Sequence, residues 1–215
     1  LLKAKYYFEL SAKQNNAKAY VHLGIIYRDG IGVLKDINRA IQYFELAAKQ
    51  NDHYSFYSLG EIYYRGINVV RDVKRSIGYL ESASNLNNSY ASSILGAIYY
   101  TGDEVEVNYN KAKEYFEKAA RQNNPDALYN LGIFYFEGKF AKQNLSKSRE
   151  YFELAAQQNH PVALFFLGEF YYFGNGVEKD YLQARDYYEL SAKLNNSEAL
   201  FYLGNIYSTG DVFDI

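Results

Sequence analysis

Cysteine, methionine and tryptophan are all absent from this chain of 215 residues, proline occurs only twice and histidine three times. Without cysteine there is no disulfide, no thiol nucleophile and no thiolate ligand for zinc. His22, His53 and His160 are scattered, so no imidazole cluster with metal-ligand spacing can be read. No apolar run approaches the ~18 residues of a membrane span, and no secretory leader is visible. Neither sign of charge prevails: the formal net charge is −2, and no global field favours nucleic acid or an anionic membrane. Strand-like alternation is confined to Val105-Glu106-Val107, too short to count. The Gly30-Ile31-Gly32 pair lacks the preceding strand that a dinucleotide site requires, and no phosphate-binding loop or nucleophile elbow is present. A coding bias toward Tyr, Asn, Lys, Ile and Phe accounts for the 25 tyrosines and 14 phenylalanines, though not for the complete lack of methionine.

What is present is a repeat. Leu-Gly recurs six times at a constant spacing of 36, with glycines at Gly24, Gly60, Gly96, Gly132, Gly168 and Gly204. Tyrosine follows three residues later (Tyr27, Tyr63, Tyr99, Tyr135, Tyr171, Tyr207), and a second glycine three beyond that (Gly30, Gly66, Gly102, Gly138, Gly174, Gly210). Asn15, Asn51, Asn87, Asn123, Asn159 and Asn195 keep the same interval, as do the glutamates from Glu9 to Glu189 and the tyrosines from Tyr7 to Tyr187. A period of 20–50 residues is the mark of a solenoid. The expected architecture is all-α, a single array over 1–215 with units 1–16 (partial), 17–52, 53–88, 89–124, 125–160, 161–196 and 197–215 (partial). The chain opens on Leu1 and starts and stops inside repeats, which reads as an internal piece of a longer array.

Within the fourth repeat, Ala127, Leu128, Leu131 and Tyr135 stand three and four apart, an amphipathic helix over Pro125–Glu137. Pro125 suits its first turn and Gly138 its left-handed end. A loop over Lys139–Asn144 leads to a second helix over Leu145–Gln158, closed by the left-handed-tolerant Asn159. Asp36, Asp72, Asn108, Asn144 and Asp180 precede the second helices as N-caps. Gly132 and its equivalents are expected to let a neighbouring backbone approach, with the Leu-Gly-x-x-Tyr tyrosine filling the space that remains.

The succession Ala127…Leu131-Gly132…Tyr135…Gly138, then a capped and alanine-rich second helix, resembles the Sel1-like repeat family. Ala199…Leu203-Gly204…Tyr207…Gly210 repeats it, and Gly174-x-Gly176-Val177…Asp180…Ala184 matches the fuller loop, as does Gly30-x-Gly32-Val33…Asp36…Ala40. The third and fourth repeats lack the second loop glycine and carry Asn108 and Asn144 in place of aspartate, so their loops are expected to differ in conformation. The resemblance implies a right-handed α/α superhelix, related to tetratricopeptide arrays, that serves as a scaffold or adaptor. A cysteine-rich branch of the family is linked with β-lactams; this chain departs from it at the defining residue.

In such a superhelix the first helices line the concave face. Three residues before, one after and four after each glycine lie positions free of the Leu-Gly-Tyr set. They nominate Tyr57, Glu61, Tyr64, Tyr100, Tyr129, Ile133, Phe136, Phe165, Glu169 and Tyr172 as partner-binding residues, with Arg65 and Glu137 added as the charges beside them. Tyr64, Tyr100, Phe136 and Tyr172 form an aromatic row, either exposed as a binding ladder or half-buried between neighbouring first helices. The partner such a groove suits is a protein or an extended peptide with basic and apolar residues, with no nucleic acid and no membrane insertion. Self-association through the apolar ends of the array is a further expectation. No catalytic, cofactor or metal residue is nominated. The leading function is a noncatalytic interaction scaffold; the alternatives are a hydrolase of β-lactams, disfavoured by the missing cysteines, and a structural spacer. The recurrent glutamates read as a solvated or structural face, His160 and His53 as turn or cap residues, and the glycosylation-type triplets at Asn87, Asn144 and Asn195 as chance in an asparagine-rich repeat.

Overall fold

The computed structural model describes residues 2–138 and 142–209. Gly210, the last of the second-glycine series, and the Lys139–Ala141 part of the fourth loop lie outside the described residues. The chain divides into two compact units, Leu1–Asn108 and Tyr109–Ile215. The first contains α1 (Leu2–Ala12), α2 (Ala17–Asp29), α3 (Ile37–Ala48), α4 (His53–Arg65), α5 (Val73–Asn85) and α6 (Ser89–Thr101). The second contains α7 (Tyr109–Ala120), α8 (Pro125–Glu137), α9 (Leu145–Ala156), α10 (Pro161–Phe173), α11 (Tyr181–Lys193) and α12 (Ser197–Thr209). Among the described residues there are twelve helices and no strand, and the fold is an α/α solenoid. Among the described residues no helix is long and apolar enough to cross a membrane.

Local chemistry fixes the helix ends. Asp36, Asp72, Asn144 and Asp180 accept hydrogen bonds from the backbone N–H three residues on, at 2.9–3.0 Å, as expected of N-caps. A second capping series starts the even-numbered helices. The side chains of Asn16, Asp52, Asn88, Asn124, His160 and Asn196 do the same for Ala19, Ser55, Ala91, Ala127, Ala163 and Ala199. The residue just before each of these caps is one of the 36-spaced asparagines, and all six are left-handed, with φ between 58° and 64°. Asparagine tolerates that region because its short polar side chain can bond locally.

The loops between paired helices share one closure. The N–H of Asp36, Asp72, Asn108, Asn144 and Asp180 donates to the carbonyl of Tyr27, Tyr63, Tyr99, Tyr135 and Tyr171 respectively, at 2.8–3.0 Å. The expected difference in the third loop is therefore not found. Glu104 takes the left-handed conformation (φ 57°) that Gly32 and Gly176 hold at 69° and 72°.

The core is organised around the Leu-Gly glycines, and here the sequence expectation needs correcting. What approaches Gly132 is not a backbone but the ring of Phe152: a Cβ on residue 132 would stand 2.5 Å from it. Phe44 over Gly24, Leu80 over Gly60 and Tyr188 over Gly168 are equivalent, at 2.5–2.6 Å. These side chains are wholly buried and key the second helix of a repeat into the first. The tyrosines assigned to that space do something else. Tyr27, Tyr63, Tyr135 and Tyr171 stack, near-parallel and offset, on Tyr43, Tyr79, Tyr151 and Tyr187, with centroids 5.7–5.9 Å apart and planes within 12°.

Candidate partner-binding face

The nominated residues sit on α4, α6, α8 and α10, the first helices of their repeats. In the first unit Tyr57 is half-buried between the rings of Tyr54 and Tyr90, at 6.2 and 6.1 Å. Burial, and then the nearby Glu61 carboxylate, push its phenol up to about 12. Arg28 of α2 donates to the Tyr54 hydroxyl at 3.2 Å while its fork grips Asp29, whose carboxyl that contact holds below the usual range. Arg28, Tyr54, Tyr57 and Tyr90 thus form one polar-aromatic line across α2, α4 and α6. Glu61 is paired with the exposed Arg65, one turn along the same helix, at 3.0 Å.

Tyr64 and Tyr100 are half-buried rather than exposed. Tyr64 lies beneath the guanidinium of Arg71, 5.4 Å from its ring centroid. Burial raises its phenol, and the Asp103 carboxylate adds to that. Arg71 also donates to the Tyr64 carbonyl at 2.9 Å and pairs with both Asp103 and Glu104, tying the loop after α4 to the loop after α6. Sequence reasoning passed over Arg71, which breaks no period and carries no motif.

In the second unit Tyr129 stacks on His160, with centroids 4.8 Å apart. Burial raises its phenol, and the Glu137 charge contributes. Ile133 and Phe136 are half-buried and Glu137 is exposed. Phe136 rests on Phe166 and Phe170, at 5.9 and 5.8 Å. Phe165 does not line an open face: it is 9% exposed and belongs to the core with Ala184, Tyr188 and Ala199. The equivalent Tyr57 and Tyr129 stay half-buried; Phe165 packs on Tyr202 of α12 at 5.6 Å, as Tyr129 packs on Phe166 of α10 at 6.1 Å. Glu169 is half-buried and burial pushes its carboxyl up. Tyr172 is packed among Tyr181, Tyr188 and Tyr202.

The aromatic row is therefore half-buried. Tyr64 is seated under Arg71, Phe136 against α10, and Tyr172 against α11 and α12. Of the histidines, His160 caps α10 and His22 stacks on Phe8 at 4.6 Å. His53 is the first residue of α4, beside the cap Asp52, and lies 3.3 Å from Asn88. Among the described residues no group of three or more His, Asp or Glu could hold a metal ion. Asn144 has its side chain committed to capping α9, and Asn87 and Asn195 occupy the left-handed turns.

A second set of surface features recurs on the odd-numbered helices. Shallow clefts of 360, 310 and 390 Å³ repeat the same lining, with Glu9 and Tyr43, Glu117 and Tyr151, and Glu153 and Tyr187 at equivalent places. The glutamates are tied to cations, as a structural face requires: Glu9 to Lys5, Glu45 to Arg75, Glu117 to Lys113 and Glu153 to Arg149, at 2.8–3.5 Å. Arg39, Arg75 and Lys147 lie over the rings of Tyr27, Tyr63 and Tyr135, at 5.3, 4.1 and 4.6 Å. The periodic Glu and Tyr series carried this signal, but spacing alone does not say that the two meet.

The Sel1 repeat model matches residues 1–16, 17–52, 56–88, 89–124, 125–160, 161–196 and 197–214, nearly the whole chain. The chain belongs to the Sel1 repeat family. Comparison with curated proteins gives no match. Among solved structures, a Sel1 repeat protein from Oxalobacter formigenes is 30% identical with a TM-score of 0.86, over 91% of this chain and 80% of that one. A protective antigen of uropathogenic Escherichia coli with the same repeat fold is also 30% identical with a TM-score of 0.86. It is matched over 96% of this chain and 44% of its own, so this chain spans less than half of that protein. An immunity protein from Pseudomonas aeruginosa, at 22% identity and a TM-score of 0.58 over 88% of this chain and 72% of that one, shares the fold. Sel1 repeats commonly serve as protein-interaction scaffolds, and the α/α repeat architecture here is of that kind.

Proposed function

We propose that this Sel1 repeat chain is a noncatalytic scaffold that holds a partner protein or extended peptide against its even-numbered helices. The observation that supports the reading is a contrast in burial. The Leu-Gly leucines Leu23, Leu59, Leu95, Leu131 and Leu167 are at most 1% exposed. Tyr64, Tyr100, Phe136 and Tyr172, on the same helices, remain half-buried. Partly exposed aromatic rings with adjacent charge supply contact area at low entropic cost. Glu61, Glu137 and Glu169 add carboxylates to that face, which favours a partner with basic and apolar side chains. A noncatalytic role is supported by repetition, since the recurrent glutamates Glu9, Glu45, Glu117 and Glu153 of the odd-numbered helices are tied up in ion pairs rather than converging on one point.

The test is capture of partners from the source cell by the native chain and by two variants, Tyr64→Ala/Tyr100→Ala in the first unit and Phe136→Ala/Tyr172→Ala in the second. Circular dichroism establishes that each variant is folded. A partner held by the native chain and lost by a folded variant supports the reading and says which unit carries the contact. A partner held equally by all three moves the contact to the odd-numbered helices or the loops.

A further inference from the structure

Glu169 holds on α10 the place that Glu61 holds on α4, one residue after the Leu-Gly glycine. Glu61 has its countercharge within the chain, in Arg65 one turn on. One turn on from Glu169 stands Phe173 instead. Among the described residues no lysine, arginine or histidine pairs with Glu169, and burial alone accounts for the upward push on its carboxyl. A half-buried carboxylate without a cation is costly, and proteins ordinarily supply one.

Its surroundings are aromatic. Tyr172 of α10, Tyr188 of α11 and Tyr202 of α12 form a mutually touching trio, with centroids 5.3 Å apart for Tyr188–Tyr202, 5.5 Å for Tyr172–Tyr202 and 6.3 Å for Tyr172–Tyr188. Tyr188 crosses α10 at Gly168, its ζ-carbon 3.0 Å from where a Cβ there would lie, and burial, then the Glu169 charge, are among the causes that raise its phenol. That hydroxyl is buried and has no hydrogen-bond partner. Packing does not call for it: the equivalent residues are Phe44, Leu80, Phe116 and Phe152, which carry no polar atom. Three features therefore coincide that each favour a cation: an unneutralised carboxylate, an unpartnered phenol oxygen and a cluster of electron-rich rings.

We propose that Glu169, the Tyr188 hydroxyl and the rings of Tyr172 and Tyr202 form a receptor for one basic side chain of the partner. This rests on the reading of the chain as a partner-binding scaffold. It gives the second unit a specificity-determining contact that the first lacks, because Glu61 is already occupied by Arg65.

The test needs no partner. The native protein is titrated with n-butylammonium, a lysine mimic, and with N-methylguanidinium, an arginine mimic, against sodium chloride of equal ionic strength. The Glu169 carboxyl and the Tyr188 ring are followed by carbon-13 NMR. The expected result is saturable shifts at both groups with an organic cation and not with sodium; the stronger of the two cations names the side chain. Glu169→Gln should weaken binding about tenfold, the loss of one charge-assisted contact. Phe173→Arg should abolish it, since the new arginine stands to Glu169 as Arg65 stands to Glu61; Phe173 is 46% exposed and has room for the change. Sodium acting as well as the organic cations, or Glu169→Gln binding like the native protein, would overturn the proposal. Either result would leave the scaffold reading untouched, because that reading is tested by partner capture.

Discussion

The ring of Phe152 lies across Gly132 so closely that a methyl group on that residue would stand 2.5 Å from it. Elsewhere in a helix, alanine is favoured over glycine by about 1 kcal/mol. Here the overlap should reverse the sign. Gly132→Ala is expected to destabilise the protein by ~1–3 kcal/mol, the usual range for overpacking. Gly78→Ala on α5, where nothing lies within 4 Å of the added carbon, should stabilise it by up to about 1 kcal/mol. Urea denaturation of the two variants beside the native protein decides the matter; equal shifts of the same sign would refute the contact.

Glu104 is left-handed where the first and fifth repeats have glycine. Glu104→Gly relieves a conformation that costs an ordinary residue about 1 kcal/mol, and it gives up the 2.6 Å ion pair with Arg71. Exposed pairs of that kind are worth ~0–1 kcal/mol, and Arg71 keeps Asp103. The variant is therefore expected to be slightly more stable than the native chain by thermal unfolding. A clear loss of stability would mean that the Arg71 bridge between loops outweighs the backbone strain.

His160 accepts the Ala163 N–H at 3.1 Å in a place where four other repeats use asparagine and one uses aspartate. His160→Ala should cost ~1 kcal/mol through the lost cap. His160→Asn should recover the cap but not the stacking on Tyr129. Stability falling in the order His, Asn, Ala is the expected result; Asn equal to Ala would show that capping contributes nothing there.

Burial raises the Glu169 carboxyl above the value it has in an unfolded chain. A raised value means that the folded protein holds the proton more firmly. This group therefore adds stability below the ordinary carboxylate range and loses it as pH rises through the folded value. Glu169→Gln removes the titration, so the variant should be more stable than the native protein at neutral pH. The gap should close as the pH falls below ~4, where the unfolded carboxyl is also protonated. A gap that persists unchanged in acid would mean that ionisation is not its cause.

Much of the fold could be read from the 36-residue period, because the same rule that spaces the leucines also places caps and turns. The helix read over Pro125–Glu137 is α8, and the asparagines read as left-handed are so. Which aromatic enters the Gly132 contact could not be read. Tyr151 and Phe152 are adjacent, both periodic and both apolar enough, and a turn of about 100° decides that one stacks on Tyr135 while the other is buried. Phe165 shows the same limit at the candidate face. It shares its place in the repeat with Tyr57 and Tyr129, yet it is buried where they are half-buried, and a repeat position does not fix how far its side chain is covered. The first-helix caps were in plain view as the second residue of Asn15-Asn16, Asn51-Asp52 and their equivalents, hidden by the more conspicuous asparagine beside each.

The left-handed asparagine and the cap that follows it leave no slack between one repeat and the next. One extra residue inside the following helix would rotate the remainder of that helix by about 100° and carry its Leu-Gly edge away from the ring that must cover it. Adding or removing a whole 36-residue repeat keeps every such contact in register.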